Sequence, residues 1–242
     1  MELKGKNALI TGGNRGIGRA TAFALAERGV NVGITYFRGK KKAEEVIESA
    51  RARGLKACAV QCDIKDFKQV EKMVSQVIDK LGGIDFLINN AGISGPSSRI
   101  DDISVEEWRE VLDTNLSGSF YCCKALKGEL VRRKGKIVNI SSIAAKMGGT
   151  IGSHYAASKA GLLGLTFALT NELAPHVTVN AIAPGPVDTE LISEEVKKKL
   201  SALTPFGRIA RPEEIAHTVI YLLENDYVSG EVIDVNAGRY MD

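Results

Sequence analysis

The chain has 242 residues, 44% of them hydrophobic and 25% charged, an ordinary profile for a globular protein able to bury a sizeable core. A formal net charge of +3 is too small to make nucleic acid a partner, and no apolar stretch reaches the ~18 residues that a membrane span needs. Four cysteines (Cys58, Cys62, Cys122 and Cys123) and three histidines make neither a disulfide framework nor a metal site, and residues 1–11 enter an apparent strand at once instead of a signal peptide, so buried thiols in a cytoplasmic protein are expected.

Apolar, β-branched runs alternate with helical patterns from end to end. The predicted strands are 6–10, 30–36, 55–61, 84–89, 136–141, 177–183 and 231–235. Most are apolar at nearly every position, as in parallel strands covered on both faces. A predicted helix over 17–28 stops at Gly29, and one over 41–53 stops at Gly54, each glycine suiting the left-handed closure of a last turn. Ser104 and Glu107 fit a capping box that opens one long helix over 105–133, and Pro212 suits the first turn of a helix over 213–224. Asn115 and Gly118 are poor interior helix formers, so a kink or a functional role falls inside the long helix. Short basic runs at 40–42, 132–134 and 197–199 read as solvated helix faces or ends. Together the pattern predicts α/β architecture: a Rossmann-type, doubly wound, seven-stranded parallel sheet in a single domain, 1–242. One long strandless insertion, about 186–205, reads as a lid.

Between the first strand and the first helix stands TGGNRGIGRA. Gly12, Gly16 and Gly18 give G-x-x-x-G-x-G, neither the common dinucleotide fingerprint nor a P-loop. Glycines there let backbone N–H groups and a helix N-terminus meet a phosphate. The second strand ends in ITYFRG, with Tyr36, Phe37 and Arg38 and no carboxylate for a ribose 2′-hydroxyl. Arg15 inside the loop and Arg38 suit a 2′-phosphate, which favours NADP(H) over NAD(H). The plainer alternative is that both arginines face water.

Ser141 and Ser142 end the fifth strand, where ligands bind in such sheets, and Tyr155 and Lys159 follow at i and i+4 on one helix face. Tyr36 and Lys40 share that spacing, but only the second pair follows a serine at a strand end. A phenol of pKa ~10 is a poor proton carrier at neutral pH, and lowering it by about 3 units takes roughly 4 kcal/mol, part of which an adjacent ammonium supplies. With a serine hydroxyl on a carbonyl and hydride from nicotinamide, this makes a carbonyl/alcohol oxidoreductase that needs no metal. His154, beside Tyr155, reads as a surface histidine, with substrate contact as the alternative.

These motifs together resemble the short-chain dehydrogenase/reductase family over essentially the whole chain. The family's cofactor loop corresponds to Thr11–Gly18, its N-N-A-G stretch to Asn89–Gly92, and its catalytic Asn, Ser, Tyr and Lys to Asn115, Ser142, Tyr155 and Lys159. The resemblance implies a tyrosine general acid, a lysine that holds the nicotinamide ribose and lowers the tyrosine pKa, a serine that orients the carbonyl, and an asparagine that anchors a water. It also implies cofactor contacts from Gly12, Asn14, Arg15, Gly16, Ile17 and Gly18, and from Tyr36, Arg38, Asp63 and Ile64. Further contacts fall to Asn89, Ala91, Gly92, Tyr155, Lys159, Pro184, Gly185, Val187 and Thr189. A homotetramer is the family's common assembly.

Within the family, residues 31–54 and 232–242 are most similar to 3-oxoacyl-[acyl-carrier-protein] reductases, which implies NADPH, a 3-oxoacyl thioester and docking of an acyl carrier protein. The chain departs from them in its shortened ELAPHVTVN with His176 and in Ala237-Gly238 for a usual Gly-Gly. Two alternatives stand beside this reading: the same chemistry on a sugar, polyol or other small carbonyl compound, and a non-catalytic cofactor sensor. Leu191, Ile192 and Leu200 of the lid suit either an acyl chain or an ordinary buried helix face.

Overall fold

Runs too apolar to face water and too short to form helices pair into a sheet, and the amphipathic runs between them cover it. The computed structural model describes residues 1–148, 151–190 and 192–241. Among these the strands are β1 (Asn7–Ile10), β2 (Asn31–Tyr36), β3 (Ala57–Gln61), β4 (Phe86–Asn89), β5 (Lys136–Ile140), β6 (Thr178–Pro184) and β7 (Val232–Val235). They form one sheet of order β3-β2-β1-β4-β5-β6-β7, parallel at every pairing. Ala8 lies opposite Val32 on one side and Phe86 on the other. The order reverses between β1 and β4, so the crevice beyond their C-terminal ends is where such a sheet receives a ligand.

The helices are α1 (Gly16–Glu27), α2 (Lys40–Arg51), α3 (Phe67–Leu81), α4 (Val105–Leu112), α5 (Gly118–Arg133), α6 (Ala144–Met147), α7 (Ser153–Leu173), α8 (Glu194–Ala202) and α9 (Pro212–Glu224). Alternate strand residues point to opposite faces. Ala8 and Ile10 therefore pack with Leu25, Val46 and Val219 beneath α1, α2 and α9. Leu9 packs with Val74, Leu126 and Leu173 beneath α3, α5 and α7.

The strand predicted over 55–61 begins two residues late, at Ala57, because Leu55 N–H turns back to the Ala50 carbonyl and closes α2. The single helix predicted over 105–133 is two helices joined by a π turn, Asp113–Ser117, closed by Gly118 N–H on the Asp113 carbonyl. Gly118 permits the fit: a Cβ there would lie 2.7 Å from Ile64 Cδ1. The segment expected to be a lid, 186–205, contains α8, capped by the Ser193 hydroxyl, and Val187 within it forms a parallel bridge to Ala210. Leu191 lies outside the described residues.

The 132–134 basic run is a helix end tied into the core. Arg133 donates through Nε and Nη2 to the two carboxylate oxygens of buried Asp85, at 3.1 and 3.0 Å. Asp85 also accepts Asn7 N–H at 2.9 Å, joining β1, β4 and α5. Removing Asp85 leaves partly buried Arg133 with only the looser Glu129 carboxylate, at 3.7 Å, and leaves buried Asn7 N–H without its acceptor, so Asp85→Ala is expected to cost about 2 kcal/mol in urea denaturation. A loss below about 0.5 kcal/mol would place this pair with ordinary surface ion pairs.

Candidate active site

The glycine loop is held open by side chains from β4's exit. Thr11 Oγ1 accepts the N–H groups of Asn90 and Ala91, both at 3.0 Å. Asn90 Nδ2 donates to the carbonyls of Thr11 and Gly12, at 2.9 and 3.1 Å. Gly12 and Gly16 have φ of 62° and 50°, which disfavours a side chain at either. At Gly18 a Cβ would lie 2.5 Å from the Gly12 carbonyl oxygen. Arg15, at the N-cap of α1, makes no side-chain bond to the first helical N–H groups. Those donors and the positive end of the helix dipole are thus available to an anion. This cradle fits a dinucleotide's phosphates.

Asn14 Nδ2 donates to the Arg38 carbonyl at 2.8 Å, stitching the loop to the end of β2. Arg15 and Arg38 are both exposed, and the Arg38 guanidinium lies 5.6 Å from the Phe37 ring centroid. Tyr36 and Ile17 pack on the α1–α2 face of the core. After β3, Asp63 Oδ1 accepts Lys65 N–H at 3.1 Å, and Ile64 is buried. Asn89 turns inward, donating to Asn139 Oδ1 at 2.9 Å.

At the end of β5, Ser141 Oγ donates to the Lys159 carbonyl at 2.9 Å and fixes α7 against the strand. Ser142 Oγ accepts Ala144 N–H at 3.1 Å and hydrogen-bonds the Tyr155 side chain. Lys159 is buried, donates through Nζ to the Ile140 carbonyl at 2.7 Å, and stands 5.8 Å from the Tyr155 ring centroid. A Cβ on Gly92 would lie 3.5 Å from Lys159 Nζ and 3.1 Å from Asn115 Oδ1, so a larger side chain there would crowd both.

Burial pushes the Tyr155 phenol above its usual value, and the Ser142 hydrogen bond offsets this only in part. Burial lowers Lys159 to about 8. The direction at Tyr155 is opposite to the lowering sought from the sequence, because desolvation penalises the phenolate. At neutral pH the site therefore holds a neutral phenol beside a mostly protonated lysine, a pair suited to giving up a proton.

Asn115 sits in the π turn, fully buried. Its side chain brackets Ile93, accepting the N–H at 2.8 Å and donating to the carbonyl at 2.9 Å, and it donates to Ser158 Oγ at 3.0 Å. Ser158 in turn donates to the Tyr155 carbonyl at 2.7 Å. Across the cleft, Gly185 N–H donates to the Val235 carbonyl at 2.9 Å and the Pro184 carbonyl accepts Ile143 N–H at 3.0 Å. Thr189 reaches the glycine loop: a Cβ on Gly16 would be 3.1 Å from its Cγ2. The start of the 186–205 segment and the loop therefore face one another.

Sequence reasoning gives no role to Asn90 or Ser158, places His154 on the surface, and makes Glu107 half of a capping box with Ser104. Ser104 Oγ does accept Glu107 N–H at 3.0 Å, but the Glu107 carboxylate turns to Ser97 and His154 instead of closing the box. His154 is fully buried. The N-N-A-G stretch holds the signal for Asn90, nothing local marks Ser158, and the capping pattern that marks Glu107 does not show that its carboxylate goes to Ser97 and His154. Burial pushes the Cys62 and Cys123 thiols to about 12, so neither is a thiolate nucleophile at neutral pH.

A family model described as Enoyl-(Acyl carrier protein) reductase matches residues 12–239. The 3-oxoacyl-[acyl-carrier-protein] reductase FabG of Staphylococcus aureus is 39% identical over 243 residues, covering 98% of both chains. A double mutant of a Serratia marcescens short-chain dehydrogenase/reductase superposes with TM-score 0.93 at 31% identity, covering 99% of both chains. A variant of actinorhodin polyketide ketoreductase with NADPH superposes with TM-score 0.89 at 34% identity, covering 97% of both.

Proposed function

This chain belongs to the short-chain dehydrogenase/reductase family, and from that membership we propose that it reduces the 3-keto group of an acyl thioester with NADPH. The observation that carries the reading is the Ser142–Tyr155 hydrogen bond beside buried Lys159, at the C-terminal end of β5. NADPH supplies the hydride. Ser142 and Tyr155 share one hydrogen bond, so both hydroxyls can converge on the same carbonyl oxygen and hold it for the transfer. Tyr155 gives that oxygen its proton. Lys159 remains charged beside it and offsets the negative charge that develops on the phenol. Asn115 keeps the Gly92–Ile93 wall in register with α7 through Ser158.

For the cofactor we assign the phosphates to Gly12, Asn14, Gly16, Ile17 and Gly18, and the 2′-phosphate to Arg15 and Arg38. Tyr36, Asp63 and Ile64 belong to the adenosine side. Asn89, Ala91, Gly92, Pro184, Gly185, Val187 and Thr189 belong to the nicotinamide side together with Tyr155 and Lys159. The NADPH-bound ketoreductase neighbour supports the choice of dinucleotide, and the relatives named 3-oxoacyl-[acyl-carrier-protein] reductase support the substrate and an acyl carrier protein as partner. The 186–205 segment would act as the lid over one catalytic domain.

A homotetramer is supported by large apolar side chains left exposed: Trp108, Phe120 and Phe167 on α4, α5 and α7, and Tyr221, Tyr227 and Met241 from α9 onward. Sedimentation at micromolar concentration tests it. The unpaired, buried cysteines are in keeping with a cytoplasmic location. Among the described residues no helix is long and apolar enough to cross a membrane.

The deciding experiment is NADPH oxidation with a short 3-oxoacyl thioester, with the matching enoyl thioester and simple sugars as alternative substrates. Turnover on the 3-oxoacyl compound is expected. Activity confined to the enoyl thioester or to sugars would defeat the substrate assignment. Charge-assisted bonds are worth about 1.5–3 kcal/mol each, so Arg15→Ala with Arg38→Ala should weaken NADPH binding by at least about a hundredfold and NADH binding by less than about threefold. Equal losses for both dinucleotides would remove the 2′-phosphate from this corner.

A further inference from the structure

His154 adjoins Tyr155 in the chain, is fully buried, and has no part in the proton transfer described above. Its Nδ1 accepts Tyr155 N–H at 2.8 Å. That bond assigns the ring proton to Nε2, which donates to Glu107 Oε1 at 2.9 Å. Glu107 lies in the first turn of α4. Its Oε1 also accepts Ser97 N–H at 2.9 Å, and its Oε2 accepts the Ser97 hydroxyl at 2.8 Å. These bonds, led by the Ser97 backbone and then His154, hold the carboxyl below its usual range.

The imidazole has a fitted slot. A Cβ at Gly95 would come within 2.4 Å of Nε2, and one at Gly152 within 2.6 Å of Cε1. Gly95 has φ of 75°, so neither sterics nor backbone favours a side chain there. The loop after β4 thus has two anchors on α7. One runs from Ile93 through Asn115 to Ser158; the other runs from Ser97 through Glu107 to His154.

We propose that Glu107 and His154 act as one pair of positioning residues, setting the first turn of α7, and with it the Tyr155 phenol, against the 93–97 wall of the site. The inference rests on the reading of Tyr155 as proton donor. A phenol displaced by about 1 Å from its carbonyl partner can cost up to about a hundredfold in rate, while leaving the distant adenosine contacts intact.

Isosteric variants test the tie apart from the packing. His154→Gln keeps an amide N–H near the place of Nε2–H, whereas His154→Met fills a similar volume without a donor. In the full-length enzyme, kcat with the 3-oxoacyl thioester is expected to stay within about threefold for His154→Gln. It should fall about tenfold or more for His154→Met and for Glu107→Ala, with KM and the NADPH Kd little changed. The double variant Glu107→Ala/His154→Met should lose no more than either single one, since the two residues act as a unit.

Wild-type kcat in His154→Met, or losses that multiply in the double variant, would overturn the proposal. Should His154→Met not bind NADPH, His154→Asn takes its place with the same expectation, because it is too short to reach Glu107. Tyr155→Phe is assayed alongside. An active Tyr155→Phe defeats the reading of the proton donor, whereas an inactive one with an unaffected His154→Met defeats only the positioning pair.

Discussion

Tyr155→Phe is expected to lower turnover of a 3-oxoacyl thioester by about a thousandfold while leaving the NADPH Kd within about twofold, since a positioned general acid contributes about 10²–10⁴. The substitution removes one oxygen and keeps the ring that packs beside Lys159. What it takes away is the hydroxyl bonded to Ser142. In the reductive direction the tyrosine starts neutral, and its raised pKa keeps it so at neutral pH. The cost falls on the phenolate left behind, and Lys159 reduces that cost. Retention of more than about a tenth of the wild-type rate would move the proton donor elsewhere, to water or to another residue.

Lys159→Met is expected to abolish most turnover, by about a hundredfold or more, and at the same time to make the protein more stable. Burial depresses the lysine from 10.5 to about 8. In the unfolded chain the ordinary value returns, so between pH 8 and 10.5 the unfolded state binds more protons and wild-type stability rises with pH. Below pH 8 the full desolvation cost is present, of order 3 kcal/mol from the size of the depression. The variant forfeits the bond to the Ile140 carbonyl, about 1 kcal/mol, and leaves a net gain of about 2 kcal/mol at pH 7. That gain should fade as pH rises toward 10.5. Urea denaturation of both proteins across this range measures it. A variant less stable than wild type at pH 7 would mean that the ammonium is better solvated or better paired than its burial implies. In the wild type, reduction should slow above about pH 8 as the lysine loses its proton.

The two variants lose activity for different reasons, and stability separates them. Tyr155→Phe leaves the Lys159 cation, and its desolvation cost, in place; Lys159→Met removes both. A buried, depressed lysine is a local instability maintained at a site where its charge has chemical use.

Much of this molecule was legible one segment at a time. Apolar runs gave the strands in order, Gly29 and Gly54 marked helix ends, and Gly12, Gly16 and Gly18 stood between a strand and a helix where only a close backbone approach calls for them. The Ser142, Tyr155 and Lys159 spacing carried its meaning because a strand end and a helix face are local geometries. The pattern over 105–133 reads as one long helix with room for a kink, whereas the structure divides it into two helices at the π turn. Propensity flagged Asn115 and Gly118, but the π turn depends on Ile93 and Ile64, which come from other elements.

Side-chain environment was the part that local pattern could not reach. His154 has no helix-face signature of burial, and the partner that takes its Nε2–H, Glu107, is 47 residues away. Thr189 meets Gly16 although more than two-thirds of the chain lies between them. The direction of the Tyr155 shift likewise follows from how much water the packed core removes, and hydration is a property of the assembled neighbourhood. Backbone periodicity and glycine placement act over a few residues and so are written in the chain itself. Desolvation and hydrogen-bond partners between distant residues come into being only when the sheet brings those residues together.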